Sequence, residues 1–179
     1  MASRTPDAIA LLKADHRKVE DLFEKFEKAR DAGRKKALAE EICTELAVHA
    51  TIEEEIFYPA CKGKVEDDLL NESYVEHDGA KVLIAELSES TPDDEFFDAK
   101  MSVLTEEIKH HVKEEEKPKE GVFAQIRESD VDLMALAERL KARKEELLEQ
   151  FKSEGLPPPT TRSFKGPNLK HGSVIEARS

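Results

Sequence analysis

The chain is predicted to be all-α: an antiparallel up-down-up-down four-helix bundle with an additional C-terminal helix and an extended tail. Three observations predict it. Charged residues make up 38% of the 179 residues and hydrophobic ones 39%, with only 7 Gly, 8 Pro and no Trp, a helix-forming composition. Apolar residues recur at three- and four-residue spacings through successive stretches. A His-bearing unit occurs twice in the first two thirds of the sequence, as two helical hairpins would require.

Helix starts are marked by "TPDA" at 5–8 and "TPDD" at 91–94, each offering a Thr N-cap, a Pro at the first helical position and acid in the first turn. The first helix carries Ile9, Leu12, His16, Val19, Phe23 and Phe26 on one face and should stop near Gly33. A second, roughly Lys35 to Tyr58, stacks Leu38, Ile42, Leu46, His49, Glu53 and Ile56, with Pro59 and Gly63 ending it. The third, about Asp67 to Leu87, aligns Leu70, Tyr74, His77, Ala80 or Lys81, and Ile84. A fourth, after Thr91, aligns Phe97, Met101, Leu104, Ile108, His111 and Glu115, and Pro118 limits it.

A fifth amphipathic segment begins near Ser129 with the stripe Leu133, Leu136, Leu140, Leu147 and Phe151, and it carries no His. From Gly155 the Pro- and Gly-punctuated end has four Lys or Arg against one Glu and reads as a tail. The expected organisation is a bundle over 1–126, the additional helix over 127–154 and the tail over 155–179. The fifth helix either covers the bundle or serves as a surface for a homodimer or protein partner.

His16 and His49 are 33 residues apart, His77 and His111 are 34 apart, and in both halves the second His is followed by Glu at i+4. Residues i and i+4 share a helix face. Four helices turning these faces to one axis would gather His16, His49, Glu53, His77, His111 and Glu115. A buried, isolated carboxylate costs several kcal/mol or takes up a proton, and no Arg lies on these faces to pair with the two acids. A pair of divalent cations supplies the compensation. Imidazole with carboxylate suits iron, manganese or zinc, and six side chains leave coordination positions for water, hydroxide or a small molecule.

His110 would pair with Glu114 in a register one residue earlier, but the Leu104–Ile108 face favours His111. Tyr74, one turn before His77, is either a hydrogen-bond partner for a ligand or a core tyrosine. Glu54, Glu55, Glu114 and Glu116 read as a solvated face, and His171 belongs to the tail.

In order along the chain, "KADHRKVEDLF", "VHATIEEEIFYP", "VEHDGAKVL" and "HHVKEEEK" resemble the hemerythrin HHE cation-binding family over about residues 5–123. The resemblance implies a non-haem di-iron site in a four-helix bundle, with oxo- or hydroxo-bridged iron preferred over manganese or zinc. By position its metal ligands would be His16, His49, Glu53, His77, His111 and Glu115, with both Glu as bridges. Two departures stand out. Oxygen carriers of the family have a second His one turn after the His77 position, where this chain has Lys81, and a protonated Lys cannot bind metal. Pro118 also follows Glu115 by three residues, closer than the family's usual "FP" ending, and should distort the turn around that carboxylate.

The expected function is binding of, or reaction with, oxygen, peroxide or nitric oxide, for sensing, detoxification or stress response. The alternative is an iron-binding regulatory module whose metal-dependent fold is read by a protein partner. A formal charge of −12 argues against nucleic acid or anionic membrane as partner. Cys43 and Cys61 form no metal or disulfide motif. The N-terminus has no signal-like apolar region, so a cytoplasmic protein is expected. Lys81→His is expected to lengthen the lifetime of an oxygen adduct, followed as the decay of its absorption after mixing with oxygen.

Overall fold

Asp7 opens the first helix. In the computed structural model, which describes residues 6–165, the Asp7 side chain accepts a hydrogen bond from the Ala10 N–H at 2.9 Å and caps α1 (Ala8–Lys28). Thr5 and His171 lie outside the described residues. Asp31 then caps α2 (Ala32–Ile52) by accepting from the Arg34 N–H at 2.7 Å. Gly33 therefore sits in the first turn of α2 and does not end α1, because the better cap precedes it.

Pro59 does not stop α2 either. Its ring crowds the carbonyl four residues back and it donates no hydrogen bond. A π-helical turn, Glu53–Phe57, comes just before it and is closed by the Tyr58 N–H on the Glu53 carbonyl, so one more α-turn, Tyr58–Cys61, follows. Gly63, at φ 73°, then turns the chain towards α3 (Asp67–Glu89).

"TPDD" forms a turn of its own. The Thr91 N–H donates to the Asp94 carboxylate at 2.6 Å and the Asp94 N–H to the Thr91 carbonyl at 2.9 Å, so α4 (Phe97–Glu115) starts six residues later than the Thr. Glu115 is its last residue, as Pro118 requires. A short α5 (Val122–Arg127) follows, and α6 (Leu133–Glu154) is capped by Asp132, which accepts from the Met134 and Ala135 N–H groups.

α1 packs on α2, α2 on α3, α3 on α4 and α4 on α1, closing a ring of four helices. The short connections between them force neighbours antiparallel. Two apolar clusters fill the ring. One contains Phe23, Ile42, Leu87, Phe97 and Leu104; the other contains Leu12, Ile52, Phe57, Phe123 and Leu140. A layer of buried polar side chains separates them.

α6 lies against α1, α2 and the π-turn, and its Leu136, Ala137, Leu140, Leu147 and Phe151 complete the second cluster. The apolar stripe of α6 is thus occupied within the chain. Among the described residues no strand forms, both cysteines are buried and free, and no helix is long and apolar enough to cross a membrane. Leu140→Ala should lower unfolding stability by about 2–5 kcal/mol in one cooperative denaturant transition, since it opens a cavity in a core that α6 shares with the bundle. An unchanged midpoint would mean that α6 is only loosely attached.

Candidate metal centre

The polar layer holds all six residues that the repeat singles out. His16 comes from α1, His49 from α2, Glu53 from the first position of the π-turn, His77 from α3, and His111 and Glu115 from the last turns of α4. All six are buried, and Glu53 is 0% exposed. His111, not the 59%-exposed His110, faces inward.

The imidazoles meet in two pairs, His16 Nε2 to His49 Nε2 at 3.1 Å and His77 Nε2 to His111 Nε2 at 3.2 Å. Each acid reaches one member of each pair. Glu53 Oε2 lies 3.2 Å from His49 Nε2 and 3.4 Å from His77 Nε2. Glu115 Oε2 lies 3.5 Å from both His16 Nε2 and His111 Nε2. Two groupings result, each with donor atoms within 4.8 Å of one another: His16, His49, Glu53 and Glu115, and Glu53, His77 and His111. Either could hold a cation, and Glu53 belongs to both.

Behind every imidazole stands a carboxylate. Glu116 lies 2.8 Å from His16 Nδ1, Glu54 3.1 Å from His77 Nδ1 and Glu76 2.6 Å from His111 Nδ1, while Asp15 approaches His49 Nδ1 to 3.6 Å. The sequence reading of Glu54 and Glu116 as a solvated face is thus corrected: each carboxylate turns in to a buried imidazole. A neutral imidazole that donates from Nδ1 presents its Nε2 lone pair, so Glu116, Glu54 and Glu76 aim three of the lone pairs at the centre of the layer, while Asp15 stands behind His49 without a hydrogen bond to its Nδ1. The signal was available: Asp15, Glu54, Glu76 and Glu116 each adjoin one of the six in sequence. The repeat extends to them, since Asp15 and Glu76 serve equivalent histidines, as do Glu54 and Glu116.

Tyr58, not Tyr74, brings a hydroxyl into the layer. It donates to Glu115 Oε1 at 2.8 Å and lies 3.3 Å from both Glu53 Oε2 and His77 Nε2. Ordinary α-helical spacing places residue 58 about 140° around the axis from residue 53. The π-turn stacks it over Glu53 instead, which is why the α-periodic reading passed it by. Tyr74 packs edge-on against the Tyr58 ring. Gly121 closes the end of α4: a Cβ there would come within 2.5 Å of the Glu115 carbonyl oxygen, so the chain after Pro118 folds tightly against the turn that carries Glu115.

The charges are unbalanced. Burial holds His16 near 4 despite the Glu116 contact, whereas at His49 the Glu53 and Asp15 carboxylates overcome burial and raise it to about 10. Burial and the Glu53 charge push Glu115 up to about 7, while His49 and His77 hold Glu53 far below the usual carboxylate range against its own burial. Glu53 Oε1 and Glu115 Oε2 accept no hydrogen bond. Buried carboxylate oxygens left without a donor, in a layer that also holds four imidazoles, fit a bound cation.

The hemerythrin HHE cation binding domain profile matches residues 7–118. The chain belongs to this family. Its fold is similar to the crystal structure of a hemerythrin HHE cation-binding domain-containing protein from Mycobacterium kansasii, with a TM-score of 0.71 and 22% identity, covering 85% of this chain and 96% of the other. A protein of Nostoc sp. (strain PCC 7120 / SAG 25.82 / UTEX 2576) described as a DNA nickase is 27% identical over 117 residues, 65% of this chain. The chain spans only 32% of that relative's length. This is a cation-binding HHE domain whose candidate ligands, His16, His49, Glu53, His77, His111 and Glu115, share one layer.

Without a cation, the folded chain keeps protons on Glu115 and His49 that the unfolded chain releases above about pH 4.5 and 6.5 respectively. His16 acts oppositely, but only between about 4 and 6.5. Chelator-treated protein should therefore lose stability as pH rises above about 6.5, while metal-loaded protein should gain relative to it, because the ligands must shed protons to bind. Thermal midpoints with and without metal across that window test the sign. Gly121→Ala should cost about 1–3 kcal/mol, because the loop must move off the Glu115 carbonyl, and should weaken metal retention on dilution.

Proposed function

We propose that this HHE domain is a hemerythrin-like non-haem di-iron protein that binds or reacts with a small ligand, namely oxygen, peroxide or nitric oxide, in sensing, detoxification or stress response. One observation carries the reading. Each carboxylate, Glu53 and Glu115, touches one imidazole from each His pair, an arrangement suited to two cations that share both acids. His16, His49, His77 and His111 would supply the remaining protein ligands. Iron held there would supply electrons to the small ligand.

The protein's own part is to orient and to exclude. Glu54, Glu76 and Glu116 fix the orientations of three rings, Asp15 places a charge behind the fourth, and Tyr58 offers a hydroxyl proton beside Glu115. A cavity of about 20 Å³ adjoins the four imidazoles and is walled by Val19, Leu46, Ile84, Ile108 and Val112. That is room for little more than one water-sized molecule, and aliphatic walls suit a diatomic gas better than a polar substrate. A nicking role like that in the cyanobacterial relative's name would have to hold a polyanion against a charge of −12.

Purified protein should contain about two irons per chain, bleach on reduction and recover near-ultraviolet charge-transfer absorption in air. His49→Ala and Glu53→Ala should each abolish stoichiometric binding. Colourless protein carrying stoichiometric zinc, with no spectral response to a reductant, would overturn the di-iron reading.

A further inference from the structure

All six donors are buried, so a ligand needs a way in. Two hollows meet on α3. The inner one is the small cavity beside the imidazoles; the outer one is a groove of about 670 Å³ between α2 and α3. Lys81 and Ile84 line both. Cys43, Ala47 and Glu54 wall the groove on the α2 side, and residues 156–160 lie along it.

That segment is anchored at several points. Gly155, at φ 81°, turns the chain out of α6, and Leu156 packs against both apolar clusters. The Arg162 N–H, the Ser163 N–H and the Ser163 hydroxyl all donate to Asp78 Oδ2, at 2.8, 2.6 and 2.6 Å. The Arg162 guanidinium lies 4.1 Å from the centre of the Tyr74 ring. Lys81 Nζ donates to the Thr160 carbonyl at 3.2 Å and to the Glu54 carboxylate at 2.7 Å, the same carboxylate that holds His77. One ammonium thus joins the segment, the groove wall and the support of a candidate ligand.

We propose that the groove between α2 and α3 is the route by which the small ligand reaches the imidazoles, that residues 156–163 form a strap across it, and that Lys81 is the selectivity residue at its neck. Glu40, Glu54, Glu55 and Glu89 line the groove with it, so the ammonium is the one positive charge among the lining residues that a small anion meets on the way in, while uncharged diatomics pass without it. The ligand half of this inference rests on the di-iron reading; the closure of the groove by the strap does not.

Two full-length variants loosen the strap from opposite sides. Ser163→Pro removes an N–H and a hydroxyl from the exposed strap, and Asp78→Ala removes their acceptor. Cys43, which lines the groove, reports opening with or without metal, and Cys61, in the other cluster, is the internal reference. Iodoacetamide labelling of Cys43 is expected to rise about tenfold in both variants while Cys61 is unchanged. With metal-loaded protein, azide association is expected to rise by a similar factor. Lys81→Met is expected to lower the ratio of azide to nitric oxide association rates several-fold, a ratio that opening alone does not move.

Unchanged Cys43 labelling in both variants would overturn the strap. Faster Cys43 labelling with unchanged azide association would overturn the route, and an unchanged azide to nitric oxide ratio in Lys81→Met would overturn the role of Lys81. Failure to take up iron would instead count against the di-iron reading and leave the Cys43 measurement to decide the strap.

Discussion

Two ring nitrogens face each other at 3.1 Å in one His pair and at 3.2 Å in the other, and carboxylates stand behind the rings. The rest of the structure is arranged around that constraint. If both rings of a pair donate backwards from Nδ1, two lone pairs oppose each other across the layer with nothing between them. If one ring is doubly protonated, its charge sits in a site closed to water. A cation between the rings satisfies both lone pairs and lets each Nδ1 proton remain where its carboxylate wants it. The unequal pull on His16, near 4, and His49, near 10, shows how a single proton serves the facing pair when no cation does.

Such a layer weakens the core it interrupts, and the fold compensates on both sides. Above and below lie apolar clusters, each large enough to hold its end of the bundle. α6 does more than enlarge one of them. Its Lys144 pairs with Asp15, and its Arg143 makes a two-pronged contact with Glu55 at 2.7 and 3.1 Å, so the helix secures α1 beside His16 and the π-turn beside Glu53. Lys144 matters most, because Asp15 is buried, and a buried carboxylate without a countercharge would take up a proton and release His49.

How much of this is legible in the sequence depends on periodicity. The four long helices and the inward six follow from α-helical spacing and a repeated offset, and both survive folding because the bundle is regular where they sit. Helix ends are less legible, since Asp7, Asp31 and Asp94 compete with the Thr and Gly signals, and a short side-chain acceptor wins locally. Tyr58 is hidden for a different reason: a π-turn changes the period by one residue at the very point where the site is built. The four supporting acids were visible as neighbours of the six, but charge-rich helices make an extra Glu unremarkable until a partner helix is known to face it.

The twofold repeat matches the ring nitrogens, the two acids and their supports, yet it fails at both openings of the layer. On the carboxylate side Tyr58 has no counterpart: the residue 62 positions later is the exposed Glu120, and Phe123 stacks on His16 at that end instead. A hydroxyl and an aromatic face therefore close the layer where the acids lie. On the imidazole side small aliphatic residues leave a cavity, and Lys81 stands where the repeat places Glu20 on α1. A symmetric ligand shell with asymmetric surroundings gives the centre one closed end and one open end. The proposed route runs to the open, imidazole side, with the Tyr58 proton held on the far side by Glu115.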